Sequence, residues 1–139
     1  CNFDPSGSGT CLTGDCAGQL ECNGTIGKPP ATLVQFTLQP NGQPCFYDVS
    51  LVDGFNVPIS VSGSGKDCGT AGCAADLNQL CPQELQMVMN SSSSVDAGKV
   101  VACKSACLAF DLDQFCCRNE YNAPAKCLPT MYSRVFKKA

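Results

Sequence analysis

Apolar and polar residues alternate most clearly in the middle of the chain. In Thr32–Leu38, Val34, Phe36 and Leu38 fall on one side of an extended segment, and Leu33, Gln35 and Thr37 on the other, because successive side chains of a strand point to opposite faces. Gln39-Pro40-Asn41-Gly42 then interrupts the pattern with turn residues. A second strand is predicted over Phe46–Val52, with Tyr47, Val49 and Leu51 opposite Phe46, Asp48, Ser50 and Val52. Asp53-Gly54 signals another turn. Phe55, Val57, Ile59 and Val61 then share one side of a third run, and Pro58 inside it argues for an edge or a bulge. The three runs and their short turns predict an antiparallel meander.

Outside this stretch the pattern changes. Residues 1–31 hold Gly, Ser, Asp, Pro and four cysteines, with no apolar period. Residues 63–74 read as loop. Residues 75–89 read as two short helical pieces, with Leu77, Leu80 and Cys81 in the first and Leu85, Val88 and Met89 following Pro82 in the second. Residues 90–98 are a polar, serine-rich exposed stretch. A short helix is predicted over 103–110, with Cys103, Cys107 and Phe110 on one side, and Met131–Lys138 reads as strand-like or irregular. Three regions follow: 1–31 a small disulfide-rich lobe, 32–74 sheet, and 75–139 a helix and loop lobe. The sheet is the part with an apolar face long enough for a core. Three strands are too few to close a sandwich, so further strands are expected at its sides.

Cysteine sets the chemical class. Thirteen of the 139 residues are Cys, a density typical of disulfide scaffolds in oxidising compartments. Five of them lie in the block from Cys103 to Cys127, where Cys116 and Cys117 are adjacent. In residues 1–31 the spacing suggests Cys1 with Cys11 and Cys16 with Cys22, although four cysteines allow three pairings. The odd total leaves a free thiol, an intermolecular pair, or a chain that is an internal piece of a longer protein. That last reading is the expectation here, because the chain opens directly on Cys1. A secreted, extracellular protein is expected, with the signal peptide absent from the piece.

The remaining composition excludes several functions. With no histidine and no CxxC pair, metal binding is not expected, nor is any cofactor. A cysteine nucleophile lacks its usual histidine partner, so Cys45 is read as an unassigned cysteine. The formal net charge of −3 gives no reason to expect nucleic acid as a partner. Asp48 and Asp53 are the candidate catalytic carboxylates if the protein is hydrolytic. Glycosidases need such a pair about 5 Å or ~6.5–9.5 Å apart, whereas five extended residues span roughly 16 Å. A turn would have to bring the two together. Asn23-Gly24-Thr25 and Asn90-Ser91-Ser92 fit the acceptor pattern for N-glycosylation at Asn23 and Asn90.

The stretch GSGTCLTGDCAGQLEC, residues 7–22, resembles the signature of thaumatin-like proteins, the plant defence proteins of pathogenesis-related group five. The likeness continues through KPPATLVQFTL, FYDVSLVDGFNVPISV, CGTAGCAADLNQLCPQEL, DQFCC and YSRVFKK, and so covers essentially the whole chain. It implies a mainly β fold, a thaumatin-like β-sandwich with flanking disulfide-rich lobes, here partial, with strands missing at both ends. It implies the pairs Cys1–Cys11, Cys16–Cys22, Cys81–Cys103, Cys107–Cys116 and Cys117–Cys127. Cys68 and Cys73 would pair with cysteines beyond Ala139, and Cys45 falls where the family pattern has none.

The resemblance also implies a function. Antifungal members carry an acidic cleft lined by an arginine, a glutamate and three aspartates, linked to β-1,3-glucan binding and sometimes to weak endoglucanase activity. Asp48 and Asp53 match two of the aspartates, Gln35 stands at the glutamate position, and the arginine and last aspartate would lie outside the chain. An amide has no proton to give, so binding through Gln35, Asp48 and Asp53 is expected rather than hydrolysis. The expectation is a secreted, monomeric plant defence protein that binds fungal-wall β-1,3-glucan or another cell-wall carbohydrate. The alternatives are a weak endo-β-1,3-glucanase, or an extracellular structural or signalling module without glycan activity. The stretch around Asn90–Ala97 is longer than the usual family loop and suggests a divergent subgroup.

Overall fold

A computed structural model describes residues 1–65, 67–73, 75–90 and 97–139. The polar stretch 90–98, the longer family loop and the second sequon fall largely on residues 91–96, outside the described residues.

Residues 1–31 are held by backbone polar groups and disulfides more than by packing. Strands β1 (Asn2–Phe3) and β2 (Gly9–Thr10) pair antiparallel. Asp4 closes the turn between them: its Oδ1 accepts from the Ser6 N–H at 2.8 Å and the Ser8 N–H at 3.1 Å. Asp15 does the same one turn later, accepting from the N–H groups of Cys11 at 2.7 Å and Gly18 at 2.9 Å. The disulfides Cys1–Cys11 and Cys16–Cys22 close loops within this segment. Such bridges stabilise by restricting the unfolded chain, at about 2–4 kcal/mol each.

The first two predicted strands form β3 (Leu33–Thr37) and β4 (Phe46–Ser50), paired antiparallel from Leu33 opposite Ser50 to Thr37 opposite Phe46. The meander ends there. The third run joins a different ladder, in which β5 (Ile59–Ser62) pairs with β6 (Thr70–Cys73), a segment expected to be loop. The reason lies upstream of β5. Phe55 is committed to Cys103 through reciprocal backbone bonds of 2.8 Å, and Pro58 has no N–H to offer a ladder. In β6, Gly72 sits so close to Ser60 that an added Cβ would lie 3.1 Å from its Cα. Backbone proximity, not apolar alternation, makes this pair.

The third region differs most from expectation. Helix α1 (Leu77–Leu80) starts at Asp76, whose side chain accepts from the Asn78 N–H, the usual N-cap arrangement. Residues 83–85 make one 3₁₀ turn, but β7 (Gln86–Val88) is a strand, not helix, and pairs with β8 (Val100–Cys103). The predicted helix over 103–110 therefore begins late, as α2 (Ala106–Phe110), capped by Ser105 Oγ accepting from the Leu108 N–H at 3.1 Å. Helix α3 (Asp113–Cys116) follows. The segment expected to be strand-like or irregular is helix α4 (Met131–Lys137). Thr130 and Ser133 form a reciprocal capping box at its start, and Arg134 and Lys137 fall in its last turn, where positive charge suits the helix dipole.

The buried core lies at one end of the sheet. Phe55, Leu77, Leu85 and Cys103 are fully buried at the junction of the sheet end with the third region, and Val49, Leu51, Tyr132, Val135 and Phe136 pack around them. Tyr132, Val135 and Phe136 share one helical face, at spacings of three and four. The hairpin face expected to hold the core is open at its far end: Phe36 is 62% exposed and Leu38 79%. Asn56 links the regions. Its Oδ1 accepts from the N–H groups of Thr32 and Val57, its Nδ2 donates to Thr13 Oγ1, and its carbonyl accepts from Asn78 Nδ2. The whole is a mainly β, disulfide-rich fold, with five disulfides among the described residues.

Candidate functional site

The β3–β4 ladder places Gln35 directly opposite Asp48. Directly opposed residues of an antiparallel pair lie on one face, with Cβ atoms about 4.5–5.5 Å apart. Which face follows from β4 itself. Val49 and Leu51 pack against the core, so by alternation Asp48 points to the other side, and Gln35 with it. Both residues are exposed. A carboxylate that only accepts hydrogen bonds thus stands beside an amide that donates and accepts. Together they can grip vicinal hydroxyl groups. They cannot form the acid and base couple of a glycosidase, because Gln35 has no titratable proton.

Asp53 is placed differently. It lies in the Leu51–Gly54 turn after β4, closed by the Gly54 N–H bonding the Leu51 carbonyl at 3.0 Å. The Asp53 carbonyl accepts from the Ala31 N–H at 2.9 Å, so the backbone of this turn is fixed. Gly54 needs its lack of a side chain: its φ is +87°, and a Cβ would lie 2.6 Å from the Cys103 carbonyl oxygen. The ladder brings Gln35 and Asp48 together and leaves Asp53 out of their register.

Beside this turn opens an apolar pocket of about 590 Å³. Leu51 and Val52 form one wall, and Phe115, Leu128, Tyr132 and Phe136 line the other. The disulfides Cys107–Cys116 and Cys117–Cys127 stiffen its floor, and Cys81–Cys103 ties α1 to β8 behind it. Phe110, Phe115 and Tyr132 stack as a trio, with ring centroids 5.4–5.7 Å apart, within the range of favourable aromatic pairs. The Tyr132 hydroxyl donates to Glu84 Oε1 at 2.9 Å. The Glu84 backbone N–H and then this hydroxyl hold the Glu84 carboxyl below its ordinary value, and the same bond pushes the Tyr132 hydroxyl up. This pocket was not foreseen from sequence. Its signal was the Tyr132, Val135, Phe136 spacing, hidden by the strand-like reading of α4.

Three cysteines are outside the five disulfides: Cys45 and Cys68 are exposed, Cys73 is buried, and burial pushes its thiol up. Beside Cys68, the Gly69 carbonyl accepts from the Tyr47 hydroxyl. Among the described residues, no cluster of three or more His, Cys, Asp and Glu side chains could hold a metal ion, and no helix is long and apolar enough to cross a membrane.

A family model described as the Thaumatin family matches residues 1–139. The chain is 53% identical over 141 residues to pathogenesis-related protein 5 of Arabidopsis thaliana, using 100% of this chain and 55% of that protein. It is 49% identical over 141 residues to pathogenesis-related thaumatin-like protein 3.5 of Cryptomeria japonica, with 100% and 55% of the two chains covered. A protein of Prunus avium named glucan endo-1,3-beta-glucosidase is 49% identical over 142 residues, with 100% and 56% covered. The chain thus spans about half the length of the curated relatives it matches.

Proposed function

Since the chain belongs to the thaumatin family, we propose that it is part of a secreted, monomeric plant defence protein that binds β-1,3-glucan of fungal walls without cleaving it. The carrying observation is Gln35 opposite Asp48 on the exposed face of β3–β4. The Asp48 carboxylate accepts from sugar hydroxyls, and such charge-assisted bonds are worth about 1.5–3 kcal/mol each. The Gln35 amide completes the pattern by donating to one sugar oxygen and accepting from a hydroxyl. Asp53, on its fixed turn, extends the polar rim toward the apolar pocket. Five disulfides and the family's pathogenesis-related members support an extracellular setting.

A second reading is a weak endo-β-1,3-glucanase, favoured by the name of the Prunus avium relative. It would need a proton donor other than Gln35. Retention of the full-length protein on insoluble β-1,3-glucan tests binding, and reducing-sugar release from the same glucan tests cleavage. Retention without release is expected. No retention contradicts binding, and release contradicts the non-hydrolytic role.

A further inference from the structure

We propose that Asn23 is a glycosylated asparagine, carrying an N-linked glycan at the tip of an exposed turn. Cys22, Asn23, Gly24 and Thr25 form a tight turn, in which the Thr25 N–H bonds the Cys22 carbonyl at 2.9 Å. The φ angles of Asn23 and Gly24 are +47° and +89°, so both central residues are left-handed, as Asn-Gly readily adopts. The Thr25 hydroxyl donates to the same carbonyl at 2.7 Å. Two bonds from Thr25 therefore close the turn, and the Asn23 amide is not spent on it. Asn23, Gly24 and Thr25 are all exposed, and a Cβ placed on Gly24 meets nothing within 4 Å. The tip has room for a branched sugar.

Leu20 and Ile26 flank the turn at 63% and 68% exposure, large side chains left in water within a segment that has little core of its own. The Cys16–Cys22 bridge fixes the stem of the turn, so the glycan has a defined root. Asn90 is exposed too, but its Ser91 and Ser92 lie outside the described residues.

The reaction is a glycosyl transfer with no redox step. Asn23 Nδ2 attacks C1 of the reducing-end sugar of a lipid-linked oligosaccharide pyrophosphate. The C1–N bond forms, the C1–O bond to phosphate breaks, the amide loses one proton, and the lipid pyrophosphate leaves.

The proposal rests on the extracellular reading, so the experiment separates the two. The full-length protein is expressed in plant cells and recovered from the medium, and its peptides are mapped by mass spectrometry before and after N-glycosidase. The expected result is a glycan on the Asn23 peptide, with the released Asn23 converted to a carboxyl. Asn23→Gln should lose that glycan and its gel shift, while Thr25→Ser should keep it in part. Protein recovered from the medium with Asn23 unmodified, or with a glycan on Asn90 alone, overturns the proposal and leaves secretion intact. Protein retained inside the cell contradicts the extracellular reading instead. The chain is then sent through the secretory pathway behind a cleavable leader, where an unmodified Asn23 overturns the proposal on its own terms.

Discussion

Gln35 and Asp48 face each other across the β3–β4 ladder, on the side turned away from the core. An amide in that position gives the proposed clamp a neutral donor and acceptor, and a carboxyl there would put two like charges on one face. Gln35→Glu is therefore expected to do two opposite things. Like charges directly opposite destabilise a ladder by about 0.2–1 kcal/mol, so thermal unfolding of the full-length protein should fall by a few degrees. The new carboxyl also supplies a proton donor beside Asp48, so reducing-sugar release from β-1,3-glucan should rise above wild type. Unchanged release with glucan retention intact would show that this position alone does not decide cleavage.

The turn that carries Asp53 depends on Gly54. Its left-handed φ of +87° costs a residue with a side chain about 1–2 kcal/mol, and the added Cβ would press on the Cys103 carbonyl at 2.6 Å. Gly54→Ala should destabilise by at least that much, lowering the unfolding temperature by roughly 5 °C. It should also weaken glucan retention by displacing Asp53. Denaturant unfolding with an unchanged midpoint would mean that the turn relaxes freely.

Asp15 gives a pH dependence with a defined sign. The N–H of Cys11, then that of Gly18, hold its carboxyl below its ordinary value of 3.8, with help from the Lys28 charge. A folded pKa below the unfolded one means that this stabilisation is complete above the unfolded value. It is lost as pH falls below 3.8 through the depressed folded value. Asp15→Asn should lower stability at neutral pH and flatten the acid limb of the stability curve below pH 3.8. Equal acid limbs in denaturation of wild type and variant would contradict this role for Asp15.

How much of this could be read from the sequence depended on where each signal lay. The alternation in Leu33–Thr37 and Phe46–Ser50 is local, so both strands were legible, whereas the opposition of Gln35 and Asp48 depends on the register between them. Strand β6 was not, because Thr70-Ala71-Gly72-Cys73 has no apolar period and pairs by close backbone approach at Gly72. The β7–β8 pair joins Gln86 to Cys103, and no local pattern announces a partner so distant in sequence. Helix α4 was hidden because Val135 and Phe136 favour strands, and its helical signal lay in the Thr130 and Ser133 cap. Spacing alone suggested the loops closed by Cys1–Cys11 and Cys16–Cys22. Nothing in the spacing selects Cys81 for Cys103, and that pair came from the family resemblance. The apolar pocket is assembled from Leu51 in the turn after β4, Phe115 of α3 and Tyr132 of α4, whose meeting depends on the tertiary fold.

The most direct measurement is calorimetric titration of the full-length protein, wild type and Asp48→Asn, with a soluble β-1,3-gluco-oligosaccharide, with product sugars assayed in the same samples. The expected result is binding by wild type without sugar release, and affinity reduced about tenfold or more in Asp48→Asn. That loss corresponds to about 1.5–3 kcal/mol for a hydrogen bond to a charged group. Equal affinity in the two proteins, or no binding by wild type, would contradict a glucan clamp built on Gln35 and Asp48.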